Sequence, residues 1–284
     1  MTADVQVPEV TGVVGGGTMG AGIAHVLLER GSKVTVAEAS AERAAAARDA
    51  VAASLNKAAE RGKLGITPEK LLAHLSTVDS IAGLPENAGL VVEAVPERLE
   101  LKQQVIAELG TVCPDAVLAT NTSSLSIGAI ARAGARERVV GMHFFNPVPA
   151  QQLVELVIHE DLDERILASA RSFVDALGKT GIEVRDFPGF ATSRLGVAVG
   201  LEAIRMLEDG VAGAEDIDTG MTLGYRWPMG PLRLTDLVGL DVRLAIAEHL
   251  AVELGPRFEP PKLLREKVER GELGRKTGRG FFTW

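Results

Sequence analysis

One histidine and one carboxylate, twelve residues apart, are the side chains in this sequence best suited to acid–base chemistry. His143 lies near the end of the apolar run Val139–Phe144, and Glu155 lies within a second apolar run, Leu153–Ile158. An imidazole titrates near neutral pH, and a neighbouring carboxylate stabilises the imidazolium as it forms. Such a pair suits proton removal from an alcohol during hydride transfer. A lone histidine on an apolar strand is more often a packed core residue, so the choice depends on the rest of the chain.

A glycine-rich segment near the N-terminus indicates a dinucleotide site. A G-x-G-x-x-G motif follows the apolar run Val10–Val14 and opens an Ala-rich helical pattern. Its first glycine permits a tight turn, its second lets a pyrophosphate approach the backbone, and its third lets the helix pack closely on the strand. The predicted cofactor contacts in this loop are Gly15, Gly17, Thr18, Met19 and Gly20.

The acid that ends the second predicted strand favours NAD over NADP. The strand pattern is Lys33–Glu38, and Glu38 lies 23 residues after Gly15. A carboxylate at this place accepts hydrogen bonds from the ribose hydroxyls of the adenosine and repels a 2′-phosphate. Arg43 is close enough in sequence to keep NADP open as the less favoured alternative.

Length and composition narrow the class of protein. The 284 residues exceed the usual single domain, and the formal net charge of −8 argues against a general nucleic-acid binder. Cys113 is the single cysteine, which excludes an internal disulfide, and the scattered histidines show no recurring metal-ligand spacing. With no signal-peptide pattern and no apolar run of membrane-spanning length, we expect a cytoplasmic protein without membrane or nucleic-acid partners.

Apolar strand-like runs alternate with helical patterns from about residue 8 to residue 185. Continuous rather than alternating apolarity is typical of parallel strands that are covered on both faces, so we predict an α/β domain of Rossmann type with a mostly parallel sheet. The predicted strands are Val10–Val14, Lys33–Glu38, Gly89–Ala94, Ala116–Thr120, Val139–Phe144, Leu153–Ile158 and Gly181–Val184. A long helix is predicted from Ser40 to about Gly62, followed by a helix that Thr67 caps.

The alternation stops at Asp186–Phe190, and no strand is predicted beyond it. Helical patterns cover 191–209 and 214–223, a third begins near Pro231 and continues toward Leu254, and a short one follows Pro261. We therefore predict two domains: residues 1–186 form the nucleotide-binding domain, and residues 187–284 form an all-α domain.

Several segments, in order and spacing, resemble the L-3-hydroxyacyl-CoA dehydrogenases, most closely the short bacterial 3-hydroxybutyryl-CoA dehydrogenases. The matching blocks are Gly15–Gly20, Val91–Val95, Asn121–Leu125, Gly141–Pro149, Pro188–Phe190, Ala214–Asp218, Pro228–Leu232 and Gly274–Phe281. The resemblance implies NAD-dependent interconversion of a short-chain (3S)-hydroxyacyl-CoA and its 3-oxoacyl-CoA. It also implies that the helical domain forms a homodimer, and that the Arg275–Arg279 run is a structural tail.

The resemblance assigns four catalytic positions. His143 would be the general base, Glu155 would orient its ring, and Ser123 would hydrogen-bond the substrate oxygen at C3. The serine-rich block that contains Ser123 could instead form a turn that caps the next helix, and Ser124 or Ser126 could serve only that role. The fourth position is an asparagine in the family but Ser193 here, and the shorter hydroxyl has a single proton to donate.

By the same resemblance, Glu93 and Asn121 would lie near the nicotinamide. Contacts to coenzyme A would come from Ser54 and Arg61, with Lys57 as a neighbour on the same helix, unless these side chains form only a solvated helix face. The alternatives are the same chemistry on a carrier-bound or free 3-hydroxy acid, which Ser193 modestly favours, and a non-catalytic NAD-binding relative.

Overall fold

The computed structural model of the protein describes residues 6–284. The chain divides into two compact units, one that ends at Asp186 and one that comprises Phe187–Trp284. Among the described residues, no helix combines the length and apolarity needed to cross a bilayer.

The first unit is built around one eight-stranded sheet. Its strands are β1 Val10–Val14, β2 Lys33–Ala37, β3 Leu75–Val78, β4 Leu90–Glu93, β5 Val117–Thr120, β6 Val139–Phe144, β7 Leu153–Ile158 and β8 Thr180–Arg185. The order across the sheet is β3-β2-β1-β4-β5-β6-β7-β8. Every neighbouring pair is parallel except β6 and β7, which are antiparallel. This confirms the predicted Rossmann-type, mostly parallel sheet.

Six helices accompany these strands, and their apolar faces complete the core. They are α1 Thr18–Glu29, α2 Ala41–Glu60, α3 Pro68–Leu72, α4 Leu99–Val112, α5 Ile127–Ala131 and α6 Glu164–Ala176. The long predicted helix is confirmed as α2, and the Ser40 side chain caps it by accepting from the backbone N–H of Arg43. Ile23 and Leu27 of α1 pack with Val36 of β2 in the core of this unit.

Strand β3 was not predicted from the sequence. It lies at the edge of the sheet, where it pairs only with β2. Leu75 is its one buried residue, whereas Ser76 is exposed and Thr77 and Val78 are half-buried. A four-residue edge strand with this composition has no continuous apolar run, so periodicity alone does not detect it.

A buried lysine holds the loop between β6 and β7. Lys179, which is 8% exposed, donates to the carbonyl oxygens of Val148 at 2.7 Å and Gln151 at 2.6 Å. Burial lowers the pKa of Lys179. The two carbonyls fix the path of the loop that follows His143 on β6.

The second unit contains five helices, and its described residues form no strand beyond isolated bridges at the C-terminal tail. They are α7 Thr192–Glu208, α8 Ala214–Thr219, α9 Pro231–Val238, α10 Leu240–Leu254 and α11 Lys262–Glu269. This confirms the predicted all-helical domain. The prediction of one helix from Pro231 toward Leu254 was wrong, because Gly239 has φ +107° and separates α9 from α10.

Two buried aspartates hold the second unit together through backbone N–H groups. Asp218 accepts from Leu232 and Arg233, both at 2.9 Å, in the first turn of α9. Asp236 accepts from the backbone N–H of Phe281 and Phe282 and from Nε1 of Trp284, at 2.8 to 2.9 Å. The second set fastens the C-terminal tail to α9, as expected for a structural tail.

Glycines leave the space that these aspartates occupy. A Cβ atom at Gly230 would overlap the Asp218 side chain, and one at Gly280 would overlap the Asp236 carboxylate. The Pro228–Leu232 and Gly274–Phe281 motifs are therefore explained by packing within this unit.

Candidate active site

The glycine loop joins β1 to α1 with the geometry that a dinucleotide needs. Gly15 has φ +93°, and a Cβ atom there would lie 2.8 Å from the carbonyl oxygen of Ala94. A Cβ atom at Gly20 would overlap the carbonyl oxygen of Gly15, so the helix could not pack as closely with any other residue. A Cβ atom at Gly17 would meet nothing within 4 Å, which leaves the backbone open to a ligand at this point.

The N-terminus of α1 is prepared for an anion. The helix has no acidic residue in its first turn, and Gly17 provides no side-chain cap. Its first N–H groups and the positive end of its dipole are therefore available to a pyrophosphate. The loop borders a cleft of about 960 Å³. The walls of the cleft include Gly15–Met19, Glu38, Arg43, Asp79–Ile81, Ala94–Pro96 and Arg98.

Glu38 follows β2 and lies in the wall of this cleft. Its Oε1 atom accepts from the backbone N–H of Gly16 at 2.7 Å, so the carboxylate is fixed beside the glycine loop. Gly16 is at the first variable position of the motif, yet a Cβ atom there would overlap Ala47 of α2. Arg43 borders the same cleft, so the structure brings together the acid and the cation that bear on the choice between NAD and NADP.

His143 and Glu155 are directly opposite each other on the antiparallel strands β6 and β7. The Nδ1 atom of His143 lies 2.7 Å from Oε2 of Glu155, and the two residues are 6% and 0% exposed. A carboxylate only accepts hydrogen bonds, so Nδ1 donates to it, and in a neutral imidazole Nε2 is then the nitrogen with a lone pair. The buried carboxylate therefore sets both the tautomer and the orientation of the ring.

Asn121 connects the ends of two neighbouring strands. Its side-chain Oδ1 atom accepts from the backbone N–H of Phe144 at 2.8 Å. Its backbone N–H donates to the carbonyl oxygen of Glu93. Phe144 follows His143 directly, so Asn121 fixes the backbone beside the imidazole. Its predicted contact with the nicotinamide stays a prediction.

Glu93, at the end of β4, is fully buried and paired with a lysine. Its Oε1 atom accepts from Nζ of Lys102 and from the backbone N–H of Val95, and its Oε2 atom accepts from Thr120, at 2.7 to 2.8 Å. A carboxylate with this many donors supports the strand ends. Its predicted contact with the cofactor stays a prediction.

The sequence interpretation missed Glu97, which joins this pair to the serine block. Lys102 Nζ lies 3.4 Å from Oε2 of Glu97. The other Glu97 oxygen accepts from Thr122 at 2.6 Å, from the backbone N–H of Ser123 at 3.0 Å and from Oγ of Ser124 at 3.2 Å. Two acids and a lysine within ten residues after an apolar strand are the signal that could have indicated this network.

Ser123 and Ser126 have different roles in the structure. The Ser123 hydroxyl lies 3.3 Å from Oε1 of Glu97. Ser126 is the residue that caps α5, because its Oγ atom accepts from the backbone N–H of Ala129 at 3.1 Å. The capping alternative therefore applies to Ser126, while Ser123 is held at the end of β5 near the residues that follow Glu93.

The predicted coenzyme A contacts lie on α2 and do not border the cleft described above. Ser54 is half-buried, and its Oγ atom lies 2.7 Å from Nδ1 of the buried His25. Lys57 and Arg61 are exposed, and Arg61 ends the helix. Ser193 is half-buried in the first turn of α7, in the second unit. Among the described residues, no cluster of His, Cys, Asp and Glu is arranged to hold a metal ion.

The fold and these groups define a class: a Rossmann-type, NAD-dependent oxidoreductase with a buried histidine–glutamate pair. The chain belongs to the 3-hydroxyacyl-CoA dehydrogenase family. The family's NAD-binding domain matches residues 10–187, and its C-terminal domain matches residues 189–284. The resemblance noted from the sequence motifs is confirmed, and so is NAD as the cofactor.

Individual relatives match over nearly the whole chain. A 3-hydroxybutyryl-CoA dehydrogenase of Mycobacterium tuberculosis is 43% identical over 278 residues, which cover 96% of this chain and 97% of that protein. The crystal structure of M. tuberculosis FadB2 has a TM-score of 0.93 at 42% identity, covering 98% of this chain and 100% of that one. The crystal structure of the (S)-3-hydroxybutyryl-CoA dehydrogenase PaaH1 of Ralstonia eutropha has a TM-score of 0.90 at 36% identity. The match covers 98% of this chain and 99% of that one.

Proposed function

We propose that this protein interconverts short-chain (3S)-3-hydroxyacyl-CoA and 3-oxoacyl-CoA, such as 3-hydroxybutyryl-CoA and acetoacetyl-CoA, with NAD as the hydride acceptor. The observation that carries the proposal is the buried contact of 2.7 Å between His143 and Glu155. Relatives named 3-hydroxybutyryl-CoA dehydrogenase, at about 40% identity over nearly the full chain, support the substrate class.

His143 is the general base in the oxidative direction. Its Nε2 atom removes the proton of the 3-hydroxyl as hydride leaves C3, so a C=O bond forms as the O–H and C–H bonds break. Glu155 stabilises the imidazolium that results and keeps the ring in one orientation, as the carboxylate of a catalytic triad does. In the reductive direction the same imidazolium donates the proton to the ketone oxygen.

Ser123 supplies a hydroxyl for the substrate oxygen at C3. Its backbone N–H is bound to Glu97, which supports the idea that the network around Lys102 holds this serine in place. Ser193 supplies a second hydroxyl in place of the family's asparagine. A lost donor toward developing charge typically raises a barrier by about 2–4 kcal/mol, so we expect Ser193 to slow this enzyme on the standard substrate.

In this proposal, NAD binds near the N-terminal end of α2, and coenzyme A binds near its C-terminal end. Glu38 binds the adenosine ribose, beside Gly16 at the glycine loop, and its fixed carboxylate favours NAD. Ser54, Lys57 and Arg61 contact coenzyme A. Arg61 and Lys57 are exposed cations suited to phosphates, and Ser54 lies two helical turns before Arg61 on the same face.

The active form is proposed to be a cytoplasmic homodimer that associates through the helical unit. Among the described residues, every large apolar side chain that is exposed lies in that unit, except Ile66. Leu195, Leu223 and Tyr225 are 67%, 78% and 74% exposed. An exposed apolar surface of this kind marks an association face. Light scattering coupled to size exclusion tests the oligomeric state.

Steady-state NADH oxidation with acetoacetyl-CoA tests the function, with the wild type and Ser193→Asn measured side by side. We expect activity in the wild type and a rise of about 10²-fold in kcat for Ser193→Asn, which restores a donor aimed at the reacting carbonyl. Activity in neither protein would contradict the acyl-CoA substrate. Assays with carrier-bound and free 3-oxo acids would then separate the alternative substrates from a non-catalytic NAD-binding protein.

A further inference from the structure

His25 is the one polar side chain in the buried stretch Gly20–Leu28 of α1, and it is 1% exposed. Its Nδ1 atom lies 2.7 Å from Oγ of Ser54 on α2. Its Nε2 atom lies 3.2 Å from Oε2 of Glu29, one turn further along its own helix. A buried imidazole is costly unless polar partners surround it. His25 therefore links the helix that follows the glycine loop to the helix that carries the predicted coenzyme A contacts.

Glu29 determines which nitrogen of the His25 ring carries the proton. An Nε2 lone pair facing a carboxylate at 3.2 Å would be repelled, whereas an Nε2–H group is attracted. The contact is not aligned as a hydrogen bond, so this attraction is electrostatic. In the neutral ring Nδ1 then has the lone pair, and the Ser54 hydroxyl donates its proton to it.

The direction of this hydrogen bond decides what Ser54 can offer to a ligand. A hydroxyl has one proton and two lone pairs, and here the proton is directed at the buried His25. Ser54 is half-buried, at the border between the core and the exposed face of α2. The lone pairs of its Oγ atom are what remains for a ligand, which must then supply an N–H or O–H group.

Ser54 shares one side of α2 with two exposed cations. Lys57 is three residues and Arg61 seven residues after Ser54, spacings that put side chains on the same face of a helix. Coenzyme A carries phosphates, which suit the two cations. It also carries N–H and O–H donors in its adenine, its ribose and its pantetheine arm, which suit a hydroxyl oxygen that only accepts.

We propose that His25 is a positioning residue of the coenzyme A site. It holds the Ser54 hydroxyl with its proton directed inward, so that Oγ accepts a hydrogen bond from an N–H or O–H group of coenzyme A. The inference rests on the proposed function and deepens its assignment of Ser54. His25 acts through Ser54, and the hydride and proton steps at His143 are unchanged.

Two thioesters with the same reacting group test the inference: acetoacetyl-CoA, and the acetoacetyl thioester of N-acetylcysteamine, which lacks the nucleotide. His25→Leu removes the acceptor of the Ser54 proton. KM for acetoacetyl-CoA should rise about 3- to 10-fold at unchanged kcat, the range for one hydrogen bond. The kcat/KM for the short thioester should stay at the wild-type value. His25→Asn, whose amide oxygen can take the place of Nδ1, should restore most of the wild-type KM.

A double-mutant cycle separates positioning from a purely structural role. Ser54→Ala should raise KM for acetoacetyl-CoA by a similar factor. Adding His25→Leu to Ser54→Ala should cause little further change, because His25 acts only through this hydroxyl. His159→Leu is the matched control, since His159 is also buried but bonds to the carbonyl oxygen of Val139. It should leave KM for acetoacetyl-CoA unchanged.

The wild type provides an independent readout through the nitrogen NMR chemical shifts of the His25 ring, which His25→Asn identifies by their loss. We expect the proton on Nε2, and we expect coenzyme A alone to change the Nδ1 shift, because the new bond to Ser54 polarises the hydroxyl that Nδ1 accepts from. Should His25→Leu fail to fold, this measurement still decides the question. An Nδ1 shift that does not respond to coenzyme A would overturn the inference.

An unchanged KM for acetoacetyl-CoA in His25→Leu would overturn the inference while the proposed function stands. Equal losses with the two thioesters, or additive effects of His25→Leu and Ser54→Ala, would overturn it as well, because those are the results of a structural role alone. Turnover of neither thioester by the wild type would overturn the proposed function and this inference together.

Discussion

The two units of this protein bury carboxylates in different ways. In the first unit, Glu93 and Glu155 each pair with a basic side chain, Lys102 and His143. In the second unit, Asp218 accepts only from backbone N–H groups, and Asp236 accepts from two backbone N–H groups and one indole. A carboxylate paired with a titratable side chain can exchange charge or protons with a ligand, whereas one paired with the backbone fixes the path of the chain.

The difference separates motifs that serve chemistry from motifs that serve folding. The glycine loop is suited to bind a cofactor, because the space beside Gly17 is open. The segment around His143 carries a group suited to proton transfer. In the second unit, aspartate side chains occupy the space beside Gly230 and Gly280. A sequence motif by itself does not reveal which of the two it is.

Replacing the imidazole should give the largest change in activity. His143→Asn keeps a polar side chain but removes the general base, so kcat should fall by about 10²- to 10⁴-fold while the Kd of NADH stays close to the wild-type value. His159→Asn is the control, because His159 is also buried but bonds to the carbonyl oxygen of Val139. Equal loss of NADH affinity in His143→Asn would contradict the assignment and put His143 in the cofactor site.

Replacing a backbone-paired aspartate should affect stability and spare the chemistry. Asp236→Ala leaves three donors at α9 and the C-terminal tail without an acceptor, so the free energy of unfolding should fall by about 3 kcal/mol or more. Urea denaturation measures the change. Asp241→Asn disrupts an exposed pair with Lys276 and should cost less than about 1 kcal/mol. Similar losses for the two variants would show that Asp236 does not anchor the tail.

The smallest expected effects are opposite responses of Glu97 and Asp218 to acid. Burial alone would raise the pKa of Glu97, but Lys102, Thr122 and Ser123 hold it below its ordinary value. Burial raises the pKa of Asp218 despite its two backbone donors. Glu97 therefore contributes stability that is present above its unfolded pKa, near 4.5, and is lost as pH falls through the lowered pKa. For Asp218 the direction is opposite: as pH falls through its raised pKa, protonation favours the folded state.

Unfolding free energies of Glu97→Gln and Asp218→Asn, measured from about pH 7 down to about pH 3, check this difference. Glu97→Gln should lose less stability on acidification than the wild type, and Asp218→Asn should lose more. Parallel pH profiles for all three proteins would show that the two carboxylates do not differ in this way.

Much of the fold could be predicted because apolar runs and glycines act locally. The glycine loop, the strands that carry His143 and Glu155, and helix α2 follow from patterns within a few residues. Strand β3 depends on a partner distant in sequence, and a single glycine such as Gly239 does not by itself reveal that a helical pattern breaks. Strand β3 exists through its pairing with β2, and the chain turns at Gly239 with φ +107°.

The site was predicted unevenly for the same reason. His143 and Glu155 stand out because each interrupts an apolar strand. The Lys102 and Glu97 side chains look like a solvated helix start in sequence, and only the fold reveals that Lys102 is 1% exposed.

Most of the loop between β6 and β7 is independent of the acid–base pair, with the exception of Phe145, whose ring centroid lies 4.4 Å from that of His143. His143 and Glu155 oppose each other on the strand ladder itself, and Lys179 holds the connecting loop through backbone carbonyls alone. The exposed side chains at positions 150–152 can therefore change over evolutionary time, or in a designed library, without rebuilding the proton-transfer machinery. This arrangement lets a lineage change the exposed part of the loop while it inherits the same acid–base geometry.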